Sequence, residues 1–121
     1  MGKSNILGAW GESLAADFLI KNKYKIKASN YRCRFGEIDI VAYNKHFLVF
    51  VEVKLRRSAK FAAAADFVDL HKQERLRKTA AIYLDENPTK LQPRFDVIEI
   101  YAPDGLNTIN PVMNYMEDAF Q

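Results

Sequence analysis

The chain has 121 residues, 49% of them hydrophobic, and a formal net charge of +3 at pH 7. That length suits one folding unit with its own core, so a single domain over residues 1–121 is expected. No run of about 18 apolar residues occurs, which excludes a helical membrane span, and the one cysteine, Cys33, excludes an internal disulfide. Met1-Gly2-Lys3-Ser4-Asn5 carries no apolar leader, and with the single thiol this leads to an expected cytoplasmic location.

Residues from about Asn5 to Asn22 have helical spacing, with Leu7, Trp10, Gly11, Leu14 and Phe18 on one face. Glu12 lies off that stripe. Its own side of the helix carries Ala15, Ala16 and Leu19, so the helix is apolar on two sides and expected to pack on two. Glu12 then becomes a carboxylate in a core or cleft that needs a partner, either a salt bridge to Lys or Arg or a metal. Lys21, Lys23, Lys25 and Lys27 alternate with Asn22, Tyr24 and Ile26 as the chain passes into a first strand ending near Arg32. Cys33 follows, read as a small side chain at a strand end because no His lies close to it in sequence.

The most informative stretch is Gly36-Glu37-Ile38-Asp39-Ile40-Val41-Ala42 followed by Phe47-Leu48-Val49-Phe50-Val51-Glu52-Val53-Lys54. Residues two apart in a strand share a face, so Asp39 can lie with Glu37, and Glu52 with Lys54. Tyr43-Asn44-Lys45-His46 has the length of a hairpin connection. Pairing the two runs brings Asp39 and Glu52 together. Carboxylates that close repel unless something positive lies between them, and the matching guest is a hard divalent cation, Mg²⁺ or Mn²⁺. The plainer alternatives are a solvated sheet face for Glu37 and a cross-strand ion pair for Glu52 and Lys54.

A second helix is predicted from about Asp66 to Glu86, buried along Leu76, Ala80, Tyr83 and Leu84 and stopped by Asn87-Pro88. Lys72 and Gln73 continue its inward stripe, and a long cation there can reach a cleft or remain a solvated helix residue. Arg94 to Tyr101 reads as a fourth strand, with Phe95, Val97 and Tyr101 on one side and Ile98 and Ile100 on the other. Pro103-Asp104-Gly105 is a turn, Thr108-Ile109-Asn110 a short edge strand, and Asn114 to Phe120 a terminal helix. The order α-β-β-β-α-β makes this an α/β chain with a mixed central sheet between helices.

Asp39 and Glu52-Val53-Lys54 together resemble the D…ExK core of the PD-(D/E)xK nucleases, the restriction-endonuclease-like superfamily. The wider pattern resembles the YraN family of small bacterial predicted endonucleases. It runs through Gly11-Glu12, Asn30-Tyr31-Arg32, Gly36-Glu37-Ile38-Asp39, Phe50 to Lys54, Lys72, Ala80 to Leu84 and Arg94-Phe95-Asp96. The layout is also similar to the archaeal Holliday-junction resolvases, in which a helical Glu joins the Asp and Glu-x-Lys. Two departures, Phe61-Ala62 in place of an aromatic followed by Gly and an unusually basic Leu55-Arg56-Arg57, fall outside the proposed ligands. The resemblance implies a restriction-endonuclease-like three-layer fold and Mg²⁺-dependent hydrolysis of structured or branched DNA. It implies Asp39, Glu52, the Val53 carbonyl and Glu12 as the metal set, Lys54 as the cation that positions water, and Lys72 with Gln73 as the phosphate contact.

Charge is unevenly distributed. Residues 54–78 hold eight Lys or Arg against three acids, whereas residues 79–121 hold two against seven. Arg56, Arg57 and Lys60 thus form a basic rim beside an acidic centre, the arrangement that neutralises phosphates flanking a scissile bond, unless it is simply a solvated face. The leading expectation is a metal-dependent endonuclease. A nucleic-acid-binding module with little cleavage and a protein-docking scaffold using Val112 to Met116 are the alternatives. Cutting both strands of a duplex would need two sites, hence a homodimer.

Overall fold

The computed structural model describes residues 4–57 and 68–121. In chain order the elements are α1 (Ser4–Lys21), β1 (Lys25–Cys33), β2 (Gly36–Tyr43), β3 (Phe47–Arg56), α2 (Leu70–Glu86), β4 (Gln92–Tyr101), a 3-10 turn (Gly105–Asn107) and β5 (Val112–Phe120). The strands form one five-stranded sheet in the order β1-β2-β3-β4-β5. Every neighbouring pair is antiparallel except β3 and β4, which run parallel. The connection between those two contains α2, since a parallel return has to cross over the sheet.

Alternation along β3 divides the core into two halves. Val49 and Val51 face Ala15 and Leu19 of α1, together with Ile40, Ile98 and Ile100. Leu48 and Phe50 face Leu76, Ala80 and Tyr83 of α2, together with Val41 and Val97. A strand covered by a helix on each face is apolar throughout, as the Phe47–Val51 run implied. The architecture is therefore a three-layer α/β arrangement with a mixed sheet between two helices. Gly11 sets how closely α1 approaches: a Cβ there would stand 3.2 Å from the Leu55 side chain. Both apolar stripes of α1 pack into this half of the core, Ala15 and Leu19 from one and Leu14 and Phe18 from the other, while Ile6 and Ile20 are exposed and Glu12 is half-buried at the margin of that packing.

The hairpin between β2 and β3 is fixed by Asn44, whose side chain accepts the amides of His46 and Phe47 at 2.9 and 2.8 Å. Pairing then runs from Tyr43↔Leu48 to Ile40↔Val51. One step further, Asp39 faces Glu52, and Asp39 Oδ2 accepts the Val53 amide at 2.8 Å. The ladder ends where the acidic residues begin.

Three sequence expectations are corrected. The second helix begins at Leu70 rather than near Asp66 (which lies outside the described residues), because Asp69 caps it by accepting the Lys72 amide at 2.8 Å. Thr108-Ile109-Asn110 is not a strand. Asn114 to Phe120 is not a helix but part of β5, paired antiparallel with β4. Its side chains alternate, Met113 and Tyr115 packing toward α1 and Met116 and Phe120 toward α2, while a register shift opposite Phe95/Val97 and the positive φ of Asp118, 52°, interrupt the pairing between Met116 and Phe120. The element order is thus α-β-β-β-α-β-β.

Candidate functional site

A cavity of about 220 Å³ opens on the α2 face where β2 and β3 part. It is lined by Gly36, Glu37, Asp39, Glu52, Lys72, Arg75 and Leu76. Strand alternation supplies the acids, and the first two turns of α2 supply the cations, since Lys72, Arg75 and Leu76 lie three and four residues apart. Gly36, at φ +155°, makes the turn that delivers Glu37 and Asp39.

Glu52 is buried and pairs with Lys72, whose Nζ lies 2.8 Å from its Oε2. Burial opposes the Lys72 charge, but the hydrogen bond and charge of Glu52 prevail and hold the ammonium above its ordinary pKa. Asp39 is less well compensated. Burial and then the neighbouring Glu52 charge push its carboxyl up to about 7, reinforced by Glu12 and Glu37 and opposed by the Val53 amide. Glu12 reaches the same place from α1. Burial raises its carboxyl, and the charges of Glu37 and Glu52 add to this, while hydrogen bonds from Asn30 and Asp39 act against it. Glu37 also pairs with Arg32 at 3.3 Å on the open side. Four carboxylates therefore influence one another around a cleft whose wall carries the cations Lys72 and Arg75, with Arg32 on Glu37 at the open side.

Hard oxygen donors carrying excess negative charge fit a hard divalent cation. Among the described residues no three His, Cys, Asp or Glu side chains are already gathered into a coordination cage. Mg²⁺ does not require one, because it commonly uses one or two protein carboxylates and keeps several waters. Asp39 and Glu52 can supply those two, and Glu12 can act on the water shell.

Of the residues singled out in the sequence, Glu12, Asp39, Glu52 and Lys72 come together here. Val53 meets Asp39 through its amide. Lys54 shares the Glu52 face but does not line the cavity; its charge instead falls on Asp69, whose carboxyl is held low chiefly by the Lys72 amide. Gln73 is tied to the Val68 carbonyl and the Arg77 guanidinium. Arg56 lies on buried Glu99 at 3.4 Å, while Arg57 is exposed and Lys60 lies outside the described residues. Arg75 was missed, although its position three residues after Lys72 was available to helical spacing. Glu99 was missed because an acid between apolar neighbours in a strand gives no sign of burial; Arg56, Tyr101 and Asn114 all bond it.

The family model described as uncharacterised protein family UPF0102 matches residues 11–100, a span that contains all of these cleft residues. A UPF0102 protein of Caldanaerobacter subterraneus is 43% identical over 115 residues, covering 94% of this chain and 93% of its own length. One from Caldicellulosiruptor bescii is 44% identical over 116 residues, covering 94% and 96%. A third, from Clostridium botulinum, is 39% identical over 121 residues, covering 95% and 94%.

Proposed function

The chain belongs to the UPF0102 family, and for this member we propose metal-dependent hydrolysis of phosphodiester bonds in DNA, with structured or branched DNA as the preferred substrate. The observation that carries the reading is Asp39, whose carboxyl is pushed up to about 7 by burial and the facing Glu52 at the point where two strands part. A purely structural acid would be paired off; this one sits among like charges. The resemblance to PD-(D/E)xK nucleases, including the YraN family, supports the same assignment.

Asp39 and Glu52 would hold Mg²⁺ or Mn²⁺, with Glu12 tuning the site through water. Bound there, the cation supplies a polarised phosphate oxygen and a ligated water of lowered pKa. Lys72 and Arg75, already on the cleft wall, bind and orient phosphate oxygens and offset charge that develops on them. Lys54, two residues beyond Glu52 on the same face, completes the Glu-x-Lys unit at the α2 N-terminus. Exposed Arg57, with Lys60, binds neighbouring backbone phosphates. Two-strand cleavage would then use two copies of the chain.

Purified protein incubated with branched, single-stranded and duplex DNA is expected to cut at least one substrate with Mg²⁺ or Mn²⁺ and none with chelator. Glu52→Gln is expected to abolish cutting. Cleavage that survives both chelator and Glu52→Gln would refute the assignment.

A further inference from the structure

We infer that a second cavity on the α2 face is a binding site for one nucleotide unit, with the base inside and the phosphate at the mouth. The cavity has a volume of about 320 Å³, near the lower end of the range for small-ligand sites, which suits a ligand of this size. Its walls include Lys27, Tyr43, Leu48, Tyr83, Asn87 and Leu91.

Tyr83 makes this more than a surface depression. The residue is 4% exposed, and its ring is held edge-on by Tyr31 and Phe50 at centroid distances of 5.0 and 5.8 Å. Its hydroxyl has no hydrogen-bond partner among the described residues, yet no fully enclosed polar atom lacks one. The hydroxyl therefore opens into the cavity that Tyr83 lines, as a fixed, unpaired donor.

Lys27 is placed by a break in the sheet. Ile26 pairs with Ala42 and Ala28 with Val41, so Lys27 is the extra residue of a β-bulge. A bulge re-aims a side chain, and this one brings the ammonium to 5.9 Å from the centre of the Tyr43 ring. The donors are thus a phenol inside and a cation outside, with an aromatic ring, two leucines and the Asn87 amide between. The Asn87 Nδ2 donates to the Tyr83 carbonyl at 3.1 Å, which leaves its oxygen to accept from a base. Bare phosphate would leave the apolar walls unused, and an apolar ligand would strand the phenol and the cation. A nucleotide uses every part.

The acidic cleft lies on the same face. Leu76 lines one cavity and Tyr83 the other, seven residues or about 10 Å apart along α2. That spacing is about three steps of a B-form strand. A strand cut at the cleft would thus place a nearby unpaired nucleotide in this pocket. The choice of a nucleotide over another small aromatic anion rests on the nucleic-acid reading of the cleft.

The test is titration of wild-type protein with the four deoxynucleoside monophosphates, followed by tyrosine ring resonances and calorimetry. Inorganic phosphate and the free nucleosides serve as the comparison probes. Monophosphates are expected to saturate and to shift Tyr43 and Tyr83. Tyr83→Phe, which keeps the ring packing, and Lys27→Ala should each weaken binding about fivefold or more. Asp39→Asn should leave it unchanged, which separates the pocket from the cleft. Monophosphates that bind to a protein unable to cut any DNA would overturn the nuclease reading and leave the pocket standing. The pocket is overturned if no monophosphate binds, if inorganic phosphate binds equally well, or if both pocket variants bind as wild type.

Discussion

Asp39 and Asp96 are both aspartates on strands of one sheet, β2 and β4 on either side of β3, and their surroundings are opposite. Asp96 is fully buried and accepts Arg94 Nε at 2.9 Å and Nη2 at 2.8 Å, the Asp118 amide at 2.9 Å and the Tyr115 hydroxyl. Arg94 also donates to the Tyr24 hydroxyl at 2.6 Å and stacks on Phe47. Asp39 has one amide, at 2.8 Å, and its carboxyl is raised to about 7 by burial first and then by three acidic neighbours. One carboxylate is neutralised and ties β4 and β5 to the connection between α1 and β1. The other is held with its charge uncompensated. Burial of an acid alone does not mark a functional site; the mismatch between acid and partner does.

The contrast can be broken most forcefully at Asp96. Asp96→Asn should cost about 3–5 kcal/mol in urea unfolding, because the largely buried Arg94 is left with only its 4.0 Å approach to exposed Glu117. A loss below about 1 kcal/mol would show the network to be dispensable, since that is the scale of an exposed pair. At the cleft, Asp39→Asn should leave the fold intact and Lys72→Ala should lower stability because buried Glu52 loses its ammonium, and each should lower cleavage by about a hundredfold or more, a loss read from initial rates. The double variant should lose little further, because residues acting as one unit are not additive.

The pH dependence follows from the sign of the Asp39 shift. Its folded pKa of about 7 lies above the ordinary 3.8, so between these values the folded form holds a proton that the unfolded chain has released. This contribution makes metal-free stability fall as pH rises from about 4 to 7 and then level off, with Glu12 adding in the same direction. Asp39→Asn should flatten that fall in melting temperature. A wild type that becomes steadily more stable over the same range, unchanged in the variant, would count against a repelling cluster.

The smallest effect belongs to the basic rim. Replacing Arg57 and Lys60 should lower the slope of log affinity against log salt by about 2 on duplex DNA. Arg56→Ala should act chiefly on stability, because it leaves buried Glu99 without its guanidinium. Equal salt slopes in the double variant and wild type would remove the rim as a DNA surface.

Much of this was legible in the sequence where one signal dominated. Alternation with i, i+2 acids gave β2 and β3 and placed Asp39 beside Glu52, and helical spacing gave α1, α2 and the inward Lys72. β5 was not legible. Met113, Met116 and Phe120 fall at helical intervals, and apolar residues on both faces, Met113 and Tyr115 on one and Met116 and Phe120 on the other, hide the period of two that would have marked a strand. The partners of Arg56 and Gln73 were hidden for another reason: long polar side chains choose among neighbours that exist only after folding. Lys54 does not line the cavity, and its charge acts on Asp69 at the start of α2, an influence between elements that chain spacing cannot anticipate.

The most direct measurement of the central claim is thermal unfolding at pH 8 with increasing Mn²⁺, for wild type and Asp39→Asn. The melting temperature of the wild type should rise with Mn²⁺ as a cation relieves the repulsion around Asp39, by an amount set by concentration over affinity. Asp39→Asn should begin at an equal or higher melting temperature and show little further rise. Equal Mn²⁺ shifts in the two proteins, or no shift in the wild type at millimolar metal, would contradict the account.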